Sequence, residues 1–177
     1  MENVQINEEL SSSPTVLLLM PGTDYNEVIV NTIKDLAKKP VCYVTLNKTH
    51  DSLRELFKKN KVNVDNIVFI DAISKTFKPV SNADNCTFVS SPGALTELSI
   101  AVTNNLDRNF DCFIFDSLTN LMIYEKKAPV AKFVSTLVNK FRAKNVKAVF
   151  YALSVKEQSA LIEETGIFVD KVIDLSK

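Results

Sequence analysis

The hexapeptide Pro21-Gly22-Thr23-Asp24-Tyr25-Asn26 stands between an apolar run, 15–20, and a stretch with helical periodicity, 27–38. A turn at such a junction is a natural anion site, because the free amides of a helix N-terminus point at whatever lies in front of them. Phosphate binding there asks for glycines that let the backbone wrap the ligand, a lysine for charge, and a hydroxyl to hold magnesium. Gly22 is the only glycine in the stretch, and there is no lysine. Asp24 works against an anion outright, since its carboxylate lies where a phosphate would sit. With Glu27 three residues later it forms an Asp-x-x-Glu capping pattern, which would take up the amides an anion needs. Taken alone, Pro21-Gly22 reads first as a turn that ends a strand.

Other chemistry-bearing residues are scattered. Asp71, Asp116 and Asp174 each end an apolar run, and ligands of open α/β sheets bind at the carboxyl ends of strands. From its position alone, Asp116 reads as a strand-end aspartate that caps the segment that follows. Acidic residues at one sheet edge also suggest a phospho-receiver domain. Such a domain needs an acidic pair after the first strand, where this chain has Pro21-Gly22. His50 has no serine, cysteine or carboxylate at a useful spacing and is expected near a solvated helix start. Cys42, Cys86 and Cys112 lack metal-ligand spacing, which argues against zinc and for a reducing, cytoplasmic setting. Lys34, Lys38 and Lys39, like Lys58, Lys59 and Lys61, fall at helix ends, where they complement the dipole as solvated faces.

The elements that position these residues alternate. Apolar runs at 15–20, 41–46, 67–70, 112–115, 146–153 and 172–175 read as strands, with a short one at 86–89. Helical spacing marks 27–38, 50–59 and 92–105, the last with Ser91 ahead of Pro92 as cap and first-turn proline. The clearest stripe is Val130, Phe133, Val134, Leu137, Val138 and Phe141. A final helix, 154–164, opens on a Ser154/Glu157 capping box and stops at Gly166. Residues 71–85 lack a period and read as an excursion. Strands that are apolar throughout, alternating with helices, predict a three-layer α/β/α domain with a mostly parallel sheet over 15–177. Residues 1–14 are expected to be a flexible N-terminal segment.

The order of these pieces resembles the RecA/KaiC-like branch of the P-loop ATPases, in which a Pro-Gly-Thr stretch leads into Gly-Lys-Thr. Pro21-Gly22-Thr23 match. The motif's first glycine falls on Leu19, its second on Asp24, its lysine on Tyr25 and its magnesium-holding hydroxyl on Asn26. After the second strand the family carries two glutamates, one of them the base that activates water. Asn47 and Lys48 take those places, and neither can be a carboxylate base. Phe113-Ile114-Phe115-Asp116-Ser117-Leu118 resembles the family's Walker B strand, and Asp71-Ala72 and the closing Asp170-Lys171-Val172-Ile173-Asp174-Leu175 keep its rhythm. The resemblance implies a RecA-like core in a degenerate member that has lost the Walker A lysine and the catalytic glutamates. Pro21, Gly22, Thr23, Asp24, Tyr25, Asn26 and Asp116 would be the remnants of its nucleotide site.

The function expected on this basis is non-catalytic: a pseudo-ATPase serving as a protein-interaction or regulatory module, without cofactor. Its partner would be a second copy, another protein, or an active ATPase paralogue. The alternative is a nucleotide-binding sensor that keeps only the Walker B aspartate. Lys+Arg and Asp+Glu both number 21, so the net charge is zero, which speaks against nucleic acid and anionic membranes as partners.

Overall fold

Six consecutive buried residues, Thr15–Met20, form β1. Burial on both faces recurs in β2 (Val41–Thr45) and β5 (Cys112–Asp116), and nearly so in β3 (Ile67–Asp71). Strands of this kind belong between two helix layers. In the computed structural model, which describes residues 5–81 and 83–176, β4 (Cys86–Phe88), β6 (Lys147–Leu153) and β7 (Lys171–Asp174) complete a seven-stranded sheet. Its order is β4-β3-β2-β5-β6-β1-β7, and every strand pairing is parallel.

The two faces follow from the period of two along each strand. Leu18, Tyr43, Ile114 and Tyr151 meet α1 (Ile6–Ser12), α2 (Tyr25–Leu36) and α3 (His50–Lys59) through Leu10, Ile33 and Phe57. Leu17, Val44, Phe113 and Phe150 face the other way. There they meet α4 (Leu95–Leu106), α5 (Leu118–Tyr124), α6 (Lys127–Lys144) and α7 (Ser159–Phe168), with Phe141 against both Phe113 and Phe150. The whole predicted stripe of α6 is buried.

Four local expectations are corrected. Residues 6–12 of the segment read as flexible form α1, with Ile6 and Leu10 buried; residues 1–4 lie outside those described. The Ser91-Pro92 start does not hold: α4 begins at Leu95, and Ser90 instead donates its amide and hydroxyl to Glu97. The Ser154/Glu157 box does not form either, because a 3-10 turn at Lys156–Gln158 intervenes and α7 starts at Ser159. Gly166 lies within α7, where a Cβ would stand 3.3 Å from Val172 Cγ2, so its small size lets β7 approach the helix. The 71–85 excursion contains a 3-10 turn, Ser74–Thr76, and Asn82 lies outside the described residues. Among the described residues no helix is long and apolar enough to cross a membrane.

Candidate functional site at the carboxyl edge

β1, β2 and β5 deliver the residues of interest to one edge. Asp116 is the last residue of β5, and register places it beside Thr45, the last of β2. Tyr25 is the first residue of α2, directly after the β1 loop. Its hydroxyl donates to Asp116 Oδ1 and accepts from Asn47 Nδ2 at 2.7 Å. The Tyr43 hydroxyl, from within β2, donates to Asp116 Oδ2 at 2.6 Å. Both oxygens of a carboxylate with no exposed surface are thus taken by phenols. The Lys48 ammonium lies 5.5 Å from the centroid of the Tyr25 ring. Thr45 Oγ1 folds the connecting turn by donating to the Lys48 carbonyl at 2.5 Å.

Electrostatics follow from this burial. Desolvation raises the Asp116 carboxyl from 3.8 to about 6, against the opposing pull of the two tyrosine hydroxyls and of Lys48. Burial, then the charge of Asp116, pushes the Tyr25 and Tyr43 hydroxyls well above the ordinary phenol range. Tyr151 on β6 is raised by the same two causes. Tyr25 and Tyr43 are therefore fixed as neutral donors, suited to holding a carboxylate rather than exchanging protons with a substrate.

The remaining residues of the loop separate from this centre. Gly22, Thr23 and Asn26 are exposed, while Pro21 and Asp24 are half-buried. The expected Asp24 cap is absent: its side chain makes no capping hydrogen bond. The cause is local. Gly22–Asp24 form a 3-10 turn, and Asp24 sits at φ −105°, ψ 4°, away from the extended backbone that aims a capping side chain at the first amides. Tyr25, rather than Asp24, fills the space between helix and strand.

Asp71 is no partner to Asp116. Fully buried, it accepts from the amides of His50 (2.8 Å), Ile73 (2.7 Å) and Ser74 (2.8 Å) and from the Ser74 hydroxyl (2.7 Å), tying the start of α3 to the turn after β3. His50 is buried, not solvated, with its ring 5.0 Å from Phe69 and 6.3 Å from Phe88. Tyr43 is the residue that sequence reasoning missed, having been absorbed into an apolar strand. The available signal was its type, since a phenol in a strand buried on both faces needs a polar partner for its hydroxyl.

A magnesium–triphosphate does not fit these residues as they stand. The loop brings no cation, Asn47 is uncharged, and the Tyr25 hydroxyl occupies the carboxylate that a metal-bound water would need.

No protein-family model matches the sequence, and no curated protein matches it. Solved structures do match, 105 chains in number. Among them is a KaiC-like protein from the hyperthermophilic archaeon Pyrococcus horikoshii OT3, at a TM-score of 0.64 and 15% identity over 91% of this chain and 71% of that one. At that identity the likeness concerns the fold: a parallel sheet between helix layers, as the alternation of strands and helices predicted, in the RecA/KaiC-like architecture that the motif resemblance implied.

Proposed function

We propose that this chain is a RecA/KaiC-like domain that does not hydrolyse ATP and acts as a protein-interaction or regulatory module. The observation that carries the reading is the Tyr25–Asp116 hydrogen bond, backed by Asn47. A working site of this fold needs a cation where Tyr25 stands and a free carboxylate where Asp116 is held. Freeing Asp116 would strand a buried carboxylate without its donors, a cost of about 1–3 kcal/mol or more. The fold keeps intact helix faces and sheet edges on which a second copy, another protein or an active paralogue could assemble. The test is phosphate release from ATP by the purified protein beside Asp116→Asn. Both should stay at background; an enzyme-like rate that vanishes in Asp116→Asn overturns the proposal.

One observation favours a second reading, a nucleotide-binding sensor. Asp24 does not cap α2, so its carboxylate does not take up the amides of that helix end, as an anion site there would require. Calorimetric titration with ATP, ADP and AMP, each with and without magnesium, separates the two. Absence of heat at millimolar ligand favours the interaction module. Binding that strengthens in Asp24→Gly with Tyr25→Lys favours the sensor.

A further inference from the structure

Two lysine clusters that lie far apart in the sequence meet at the amino edge of the sheet, at the opposite end of the strands from Asp116. Lys34 and Lys38 come from the last turns of α2, and Lys61 follows the end of α3; with Asn63 and Asn66 they line a groove of about 430 Å³ over Ala37 and Val62. Lys34, Lys38, Lys61 and Asn63 are exposed, and Lys58 and Lys59 stand on the last turn of α3 just before Lys61. Lys38 is paired with Asp35 at 3.2 Å, and Asp35 also accepts from the Asn7 amide. Among the described residues neither Lys34 nor Lys61 has a carboxylate within ion-pair distance. The two helix C-termini together carry only about one negative charge. The lysines exceed it, in a chain whose net charge is zero.

Lys61 supplies an independent sign. The Val62 amide donates to the Phe57 carbonyl and the Lys61 amide to the Lys58 carbonyl, both at 3.0 Å, so α3 ends in a Schellman motif. The residue after the cap in that motif is left-handed, and Lys61 has φ 61°. Glycine is the usual occupant, because a Cβ is strained there. A lysine in that place sets a charged side chain on the groove at the expense of local comfort, and such outliers cluster at functional surfaces.

We propose that this groove is a docking surface for an acidic segment of a partner protein. Charge complementarity selects that occupant, and the distribution of acids selects it over nucleic acid. Asp35 pairs with Lys38, and the exposed Asp65 lies between the lining residues Asn63 and Asn66. Duplex DNA presents a charge about every 1.7 Å and would press phosphates onto them, whereas glutamates spaced along a peptide can meet the lysines and pass the aspartates by. The inference does not depend on whether the opposite edge takes nucleotide.

The experiment is fluorescence anisotropy of a labelled peptide of alternating glutamate and alanine, with a single-stranded oligonucleotide of equal charge as competitor. Lys34→Glu with Lys61→Glu should weaken peptide binding at least tenfold, while Lys126→Glu with Lys127→Glu, an equal charge change on another helix, should leave it within twofold. Lys61→Gly separates binding from fold: it should raise the thermal midpoint by relieving the left-handed residue and still weaken the peptide several-fold. Failure of the peptide to bind, equal loss in both double variants, unaltered binding in Lys61→Gly, or tighter binding of the oligonucleotide through the same lysines would each overturn the proposal.

Discussion

Tyr43 lies in the middle of a strand whose every side chain is buried, so its hydroxyl must find a partner inside the fold. It finds Asp116 Oδ2, and its ring fills the space between Phe57 (5.5 Å) and Phe69 (5.9 Å). Tyr43→Phe keeps the ring and removes one donor from a buried carboxylate. It should cost about 1–3 kcal/mol at neutral pH, read from urea unfolding. An unchanged midpoint would mean that Asp116 does not need the donor. Gly22 is the opposite case. Its φ is not positive, and a Cβ there would meet nothing within 4 Å, so the folded chain does not itself require glycine. Gly22→Ala should therefore stabilise by about 0.4–1 kcal/mol, through the unfolded state; a loss of stability would reveal a constraint on the loop. At this scale the sequence was legible as composition and illegible as contact. The absence of lysine from 21–26, and of any glycine beyond Gly22, could be read directly. The bond from Tyr25 to Asp116 joins residues 91 apart, and nothing in either neighbourhood announces it. The Asp24 cap was misread because spacing reports which side chain is near the helix end, while backbone angles decide where it points.

Strands declared themselves as continuous apolar runs and long helices by period, since each buries enough apolar surface to dominate its window. The β5 run and the stripe of α6 were legible to within a few residues. Two seven-residue helices, α1 and α5, were not: two turns carry too few apolar positions to establish a period. Helix α1 is held by tertiary contacts instead. Ile6 and Leu10 are buried among the α2-side core, the Asn7 amide donates to Asp35 at 2.9 Å, and Glu9 pairs with Lys171 on β7. The packing is testable at the level of the element. Leu10→Ala should lower stability by about 2–5 kcal/mol, as for a leucine deleted from a packed core, with the loss seen as a lower urea midpoint. A flexible segment would show no change, and the helix would then be a minor contributor to the fold.

The stability of the whole molecule should carry the signature of Asp116. In the unfolded chain its carboxyl releases a proton near the ordinary 3.8; in the folded protein burial raises this to about 6. Between those values the folded state binds more protons, so acid favours it: Asp116 penalises folding fully above pH 6, and the penalty fades as pH falls toward 4. The shift corresponds to about 3 kcal/mol at most. His50 acts in the opposite sense. Burial lowers its pKa, so its neutral form is favoured in the fold and stability is lost as pH falls below the unfolded value of 6.5. A bare stability profile mixes the two, and a variant is needed to separate them. Asp116→Asn is neutral at every pH and leaves His50 in place, so the difference between wild type and variant isolates the carboxylate. Urea unfolding at pH 7.5, 6, 5 and 4 should show that difference moving in favour of the wild type as the solution becomes more acidic, with most of the change between pH 6.5 and 4.5. Movement the other way would mean that Tyr25 and Tyr43 overcome desolvation and hold Asp116 ionised below the usual carboxylate range. The edge would then keep its negative charge into acid solution, where the raised pKa would otherwise neutralise it. With the expected outcome, the tyrosines only partly offset the cost of burying the charge, and a cation introduced by Tyr25→Lys would both stabilise the fold and restore the electrostatic condition for a nucleotide.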